Sequence, residues 1–225
     1  MKRSQVNAAI AWAKKLLKDN NIRLPEYAYW DMPTWKANKD KLQTIQSVML
    51  GWDITDFGTG NFQSIGAVLY TVRNGKVDDE RVGVPYCEKY LLFKEGQRLP
   101  MHYHKYKTED IINRAGGVIA AYLWNTDEQG NQLDTDVVVP MDGIERTFKA
   151  GEEILVYPGN SISLKPHVAH IFGPKAGTGE LVAGEVSKVN DDNTDNYFIE
   201  PTYRFARIEE DEPAALPLCN EYDML

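Results

Sequence analysis

From about residue 62 to residue 207 the chain is a succession of twelve short runs rich in Val, Ile, Tyr and Phe, with turn residues between them and no long helical pattern anywhere in between. The runs fall at 66–73, 86–93, 98–104, 109–113, 117–124, 136–139, 145–149, 153–157, 161–165, 169–172, 180–187 and 197–207, with Asn74-Gly75 reading as a hairpin turn. Parallel strands need crossover helices, so this texture excludes βαβ units and leaves a mainly β sandwich or barrel. Ahead of it, Val6, Ala9, Ile10, Ala13, Leu16 and Leu17 recur at helical spacing, with Ser4 placed to cap the start and Asn20-Asn21 to end it. Residues 23–37 form an extended aromatic stretch, Pro33 opens a second helix over 34–48, and Gly51, Gly58 and Gly60 mark 49–60 as a loop. The predicted organisation is an N-terminal helical arm over 1–61, a barrel over 62–208 and an acidic, proline-containing surface tail over 209–225, together one structural domain.

Charge and missing motifs narrow the function. Twenty-five basic against 33 acidic residues give a net charge of -8, with no basic cluster longer than a dipeptide, which disfavours nucleic acid and anionic membranes as partners. Cys87 and Cys219 are too few for a disulfide scaffold, and neither a secretory leader nor an apolar membrane span is visible, so a cytoplasmic setting is expected. Gly58-Thr59-Gly60 is followed by Gln63 where a dinucleotide fingerprint needs glycine, and neither a phosphate-cradling Gly-Lys-Ser/Thr nor a Gly-x-Ser-x-Gly elbow occurs. Asp191, Asn193 and Asp195 mimic the start of a calcium loop, but Asn196 stands in the glycine position and Thr202 in that of the bidentate glutamate.

All four histidines fall in two short stretches, His102 and His104, then His167 and His170. Two histidines at i and i+2 on a strand point the same way and can grip one ion, and Glu109 is near enough in sequence to add an oxygen. A third imidazole from a distant strand would complete a three-nitrogen, one-oxygen shell suited to divalent Mn, Fe, Co, Ni or Zn.

Gly96, His102, His104, Glu109 and Gly116 stand at the intervals of the first metal motif of the cupin superfamily, which this stretch resembles. Gly159 lies eleven residues before His170, the family's glycine-to-histidine interval in its second motif. Pro166 is one place late and His167 occupies a glycine position, so the resemblance implies His170 as the ligand, with an exchange of roles with His167 left open. The segments 101–117 and 184–196 and the aromatic-rich N-terminal region are similar to those of the D-lyxose isomerases. That resemblance implies a cupin-type double-stranded β-helix, a jelly-roll barrel with N-terminal helices packed outside. It also implies a divalent metal, usually manganese, interconversion of D-lyxose with D-xylulose and of D-mannose with D-fructose, and a homodimer.

Moving a carbonyl from C1 to C2 of a sugar needs an acid and a base within hydrogen-bond reach. Lys107, two residues before Glu109, and Glu185, after the apolar run 181–184, are the candidates. Lys107 would need a pKa lowered by its pocket, and Glu185 would have to point inward; otherwise they are a surface lysine and a strand-end carboxylate. Asp191, Asp192, Asp195 and Arg204 are candidates for holding sugar hydroxyls, though a solvated acidic turn fits the first three as well. The same ligand set also serves iron-dependent dioxygenases, and a non-catalytic sugar-binding cupin is a further alternative.

Overall fold

The computed structural model describes residues 1–192, 194–200 and 202–225; positions 193 and 201, within the calcium-like run and the last predicted strand, lie outside the described residues. Among those described are three α-helices: α1 (Arg3–Asp19), α2 (Met32–Ala37) and α3 (Gln43–Ser47). The strands are β1 (Gly51–Thr55), β2 (Ala67–Gly75), β3 (Gly83–Phe93), β4 (His102–Tyr103), β5 (Glu109–Gly116), β6 (Ile119–Thr126) and β7 (Gln132–Leu133). They continue with β8 (Val137–Met141), β9 (Ile144–Phe148), β10 (Ile154–Val156), β11 (Ser161–Leu164), β12 (Val168–Pro174), β13 (Leu181–Lys188) and β14 (Tyr197–Phe198). The larger sheet runs β1-β2-β3-β13-β5-β11-β8-β9 and the smaller β10-β6-β12-β4-β14, with β7 on β6. Pairings between these strands are antiparallel, giving the two-sheet jelly-roll barrel of a cupin with helices outside, as expected.

Side-chain parity explains why the middle strands are almost continuously apolar. Leu69, Leu91, Phe93, Leu181 and Ala183 face the space between the sheets, where they meet Ile111, Leu123 and Phe172. Their neighbours Val68, Tyr70, Leu92 and Val182 face the other way, onto Val6, Ala13 and Leu17 of α1. A strand buried on both faces loses the alternation of a half-exposed one. Truncating a side chain such as Leu92, fully buried here, costs about 2–5 kcal/mol.

Several local expectations need correction. Ser4 does not cap α1: the Lys2 backbone N–H donates to Gln5 Oε1 at 2.9 Å, and Ser4 instead bonds Asp211 through its N–H and hydroxyl. The single helix expected over 34–48 is α2, a 3₁₀ turn and α3, because the Asn38 side chain donates to Thr34 O at 2.9 Å and competes with the helical ladder. The loop expected at 49–60 contains β1, whose Trp52 and Ile54 join the helix-side core while Asp53 is buried on the opposite parity; a buried aspartate disguised the strand.

Asn74-Gly75 is not a turn. Both residues lie in β2, Gly75 pairs with Gly83, and the chain reverses over 76–82, because the Asn74 amide is used inside the protein. The strand expected over 98–104 contracts to His102–Tyr103, and the described part of 197–207 to Tyr197–Phe198.

The surface tail expected over 209–225 is instead packed. Leu216, Leu218, Cys219 and Tyr222 join the helix-side core, as do Tyr27, Trp30 and Trp35 of the arm. No described helix is long and apolar enough to cross a membrane.

Candidate metal centre

Strand register brings the histidines together. His102 of β4 lies directly across from His170 of β12, and His104 follows two residues on the same side. Glu109 opens β5 on the facing sheet, opposite Ser187 of β13. One ligand atom from each of His102, His104, Glu109 and His170 lies within 4.8 Å of the others, and all four residues are buried. The turn before His170 accommodates His167 at φ 64, the left-handed region a glycine favours, so the substituted glycine position is real. His167 does not join the cluster; its ring lies 6.1 Å from that of Tyr103.

The hydrogen bonds define which nitrogens are left over. Nδ1 of His102 faces Pro100 O at 3.0 Å, Nδ1 of His170 faces Val168 O at 3.0 Å, and Nδ1 of His104 faces Asp195 O. A backbone carbonyl accepts only from N–H, so in the neutral ring each contact leaves Nε2 bare. Burial and the neighbouring histidines push His102 well below the usual imidazole range, keeping it neutral. Burial opposes ionisation of Glu109, but Lys107 and the histidines outweigh it and hold the carboxyl well below the usual range.

Bare Nε2 atoms and a carboxylate oxygen are all acceptors, yet Nε2 of His170 and Oε1 of Glu109 are 3.0 Å apart. His104 Nε2, His170 Nε2 and Glu109 Oε1 are buried without a hydrogen-bond partner. Such a convergence is costly unless a cation sits among them. Three imidazole nitrogens and one carboxylate oxygen fit a divalent first-row metal.

Beside this cluster the larger sheet carries a row of charges on its inner face. Glu185 points inward and pairs across β13 with Lys89 of β3. Lys107 Nζ is 2.8 Å from Glu185 Oε1, 2.9 Å from Glu109 Oε2 and 3.2 Å from Asn190 Oδ1. Lys107 is therefore no surface lysine, but neither is its pKa lowered as expected: burial pulls it down, and Glu109 and Glu185 more than offset that, leaving it raised. Glu185 is held below the usual range, against burial, by Lys107 and Lys89.

Lys89, 3.5 Å from Glu185, and Asn190 were not singled out in the sequence, although Lys89 shares the inward parity of Leu91 and Phe93. Arg204 Nε and Nη2 each lie 3.0 Å from an oxygen of Asp192, and Nη1 lies 2.5 Å from Asp53. Burial raises the Asp53 carboxyl, while Arg204 overcomes burial at Asp192 and holds it far below the carboxylate range. A cavity of about 40 Å³ joins these groups, lined by His102, His104, Lys107, Glu185, Asp192 and Arg204 among others.

Two of the residues expected to hold the sugar do not face this cavity. Asp195 is buried, its carboxylate accepting from the backbone N–H groups of Lys105, Tyr106 and Lys107. Asp191 accepts from the Thr194 N–H and hydroxyl in its own turn and lies outside the cavity lining.

A family model described as D-lyxose isomerase matches residues 1–222. The chain is 40% identical over 223 residues, 99% of its length and 98% of the relative's, to a D-lyxose/D-mannose isomerase of Escherichia coli O157:H7. It is 39% identical, with the same coverage, to a D-lyxose/D-mannose isomerase of Serratia proteamaculans. Among solved structures, the Cellulomonas parahominis L-ribose isomerase with L-ribose is similar in fold, with a TM-score of 0.62 at 15% identity, covering 93% of this chain and 98% of that one.

Proposed function

The chain belongs to the D-lyxose isomerase family, and on that premise we propose that it is a metal-dependent aldose-ketose isomerase interconverting D-lyxose with D-xylulose and D-mannose with D-fructose. The observation that carries the reading is the unpartnered, buried convergence of His104, His170 and Glu109 within reach of an inward Lys107–Glu185 pair. His102, His104, Glu109 and His170 would hold the ion, with manganese the first choice and cobalt, nickel, zinc or iron as alternatives. A divalent ion there supplies Lewis-acid stabilisation of charge on sugar oxygens.

The proton work falls to the chain's own groups. Glu185, a carboxylate, takes the proton from C2 of the aldose, and Lys107, an ammonium, donates to the C1 oxygen as charge builds there. The resulting enediol returns one proton to C1 from Glu185 and gives the C2 hydroxyl proton back toward Lys107, which completes the ketose with no net gain or loss. Glu185 alone among neighbouring lysines is a weak base. A sugar oxygen that takes Lys107 as its partner removes one of the cations holding that pKa down, and so raises the basicity of Glu185 when substrate is bound. Arg204 and Asp192 orient the distal hydroxyls.

Arm, barrel and C-terminal segment act as one unit, a homodimer in a cytoplasmic setting; sedimentation giving a monomer at micromolar concentration would remove the dimer. The test of function is to strip the protein with chelator and restore Mn, Co, Ni, Zn or Fe singly. Ketose formation is then followed from a panel that includes D-lyxose and D-mannose. Metal-dependent ketose formation is expected. Oxygen consumption with iron alone, or binding of sugars without turnover, would favour the dioxygenase or the sugar-binding reading instead. His170→Ala should lose metal and turnover together while His167→Ala keeps most of both; the reverse would exchange their roles.

A further inference from the structure

Three histidines of the centre are oriented by carbonyls, and two of those carbonyls are local, two residues away in sequence. His104 is different. Its Nδ1 meets the carbonyl of Asp195, 91 residues further along the chain. The same residue reaches back with its side chain. Asp195 Oδ1 accepts from Lys105 N at 2.7 Å, Oδ2 from Lys107 N at 2.8 Å, and both oxygens lie 3.2 Å from Tyr106 N. Three consecutive amides thus converge on one buried carboxylate, an arrangement strong enough to define a loop's path, since hydrogen bonds to a charged acceptor are roughly twice as strong as neutral ones.

We propose that Asp195 is a positioning residue that sets His104 and Lys107 relative to one another: its carbonyl fixes the His104 ring and its carboxylate fixes the backbone from which Lys107 projects. The segment between them contains no regular strand, since β4 ends at Tyr103 and β5 starts at Glu109, so no ladder does this for it. Without Asp195, the Lys107 ammonium would still find Glu109 and Glu185, but from a wandering backbone. Displacement of an acid by about 1 Å is enough to slow a reaction about 10²-fold. Asp195 does not line the cavity and contributes no ligand atom to the cluster; it acts through its contacts with His104 and with the backbone of Lys107.

The inference rests on the isomerase reading, and the experiment separates the two. Wild type, Asp195→Asn and Asp195→Ala are assayed side by side on D-mannose with manganese restored. Metal content, thermal unfolding and amide hydrogen exchange at Lys105, Tyr106 and Lys107 are measured on the same samples. Asp195→Asn keeps the main-chain carbonyl and one side-chain acceptor, so it should retain metal and lower kcat about 10-fold with KM nearly unchanged. Asp195→Ala also keeps the carbonyl but removes every side-chain acceptor, so it should lower kcat about 100-fold and weaken manganese binding through the shifted backbone that carries the carbonyl. Both variants should speed exchange at the three amides while other protected amides are unaffected.

An inactive wild type would sink the isomerase reading. An active wild type with both variants within twofold of it in kcat and metal affinity would overturn the positioning role alone. Should Asp195→Ala fail to fold, the Asn variant and the wild-type exchange rates decide: amides 105–107 exchanging as fast as an exposed loop would also overturn it.

Discussion

Glu185 and Lys107 are coupled so closely that replacing one does not mirror replacing the other. Glu185→Gln leaves Lys107 its bond to Glu109 and keeps the shape of the side chain, so folding and metal should persist. Its turnover is expected to fall about 10² to 10⁴-fold, the contribution of a positioned base. Lys107→Met removes the cation shared by two buried carboxylates, 3% and 6% exposed at their side chains. Breaking such a buried pair costs about 3–5 kcal/mol, so this variant should lose stability as well as turnover. Thermal unfolding with turnover measured on the same samples distinguishes the two; equal destabilisation would mean that Lys107 is not the hub of the network. Loss of the C2 hydrogen into heavy water is the companion measurement, because an internal hydride shift would retain it and would make both residues sugar-positioning groups. Residue identity and spacing singled out each of the two as a candidate, but not their pairing. The direction of the Lys107 shift was not legible, since it depends on a second carboxylate brought in by a strand 78 residues away.

At the scale of elements, β2 does more than pair. Asn74, near its end, donates to Val48 O at 3.3 Å and to Asn190 O at 3.1 Å, and accepts from Asn190 N at 2.9 Å. The amide stands in for a strand partner and holds the segment after β13, whose Asn190 touches Lys107. Asn74→Ala leaves a buried donor and acceptors unmatched and should lower the urea midpoint by the equivalent of about 1–3 kcal/mol. An unchanged midpoint would show that the segment holds itself. Asn-Gly is the strongest short hairpin signal, and here it failed because the side chain's tertiary bonds outweigh local turn preference. For the same reason β1 escaped notice: its Asp53 is satisfied by Arg204, a partner that proximity in sequence could not suggest. His102 and His104 were readable because an i, i+2 spacing gives the two a shared face, whereas His170 was reached through the family resemblance. The two thiols, Cys87 in β3 and Cys219 in the C-terminal segment, are inert by burial. Burial pushes Cys87 up to about 12 and raises Cys219 as well. Native protein at pH 8 should therefore leave both unreacted toward a thiol reagent and release two after denaturation; rapid native labelling would contradict their burial.

Across the whole molecule, the C-terminal segment ties the outer core to the site. Cys219 N donates to Trp52 O at 2.8 Å, steadying β1, the strand whose Asp53 holds Arg204. The segment is itself anchored on Arg3 at the opposite end of the chain, whose side chain is 1% exposed and bridges Glu210 and Glu221. Its bonds are 2.8 and 2.5 Å to Glu210, and 3.0 and 2.7 Å to Glu221. Distance slightly favours Glu210, but burial ranks the two the other way: the Glu210 side chain is 55% exposed and that of Glu221 19%. Water compensates for an exposed partner, and exposed pairs contribute about 0–1 kcal/mol. A lost inner partner leaves the guanidinium underpaired in the interior, where breaking a pair approaches about 3–5 kcal/mol. Glu221 also accepts from Leu218 N at 3.2 Å, so its loss loosens the turn that buries Leu218. Glu221→Gln should therefore lower the denaturant midpoint well beyond Glu210→Gln, and Arg3→Leu should largely erase the difference between them. Equal effects of the two glutamate changes, or a difference that survives in the Arg3→Leu background, would mean that apolar packing alone holds the C-terminal segment in place.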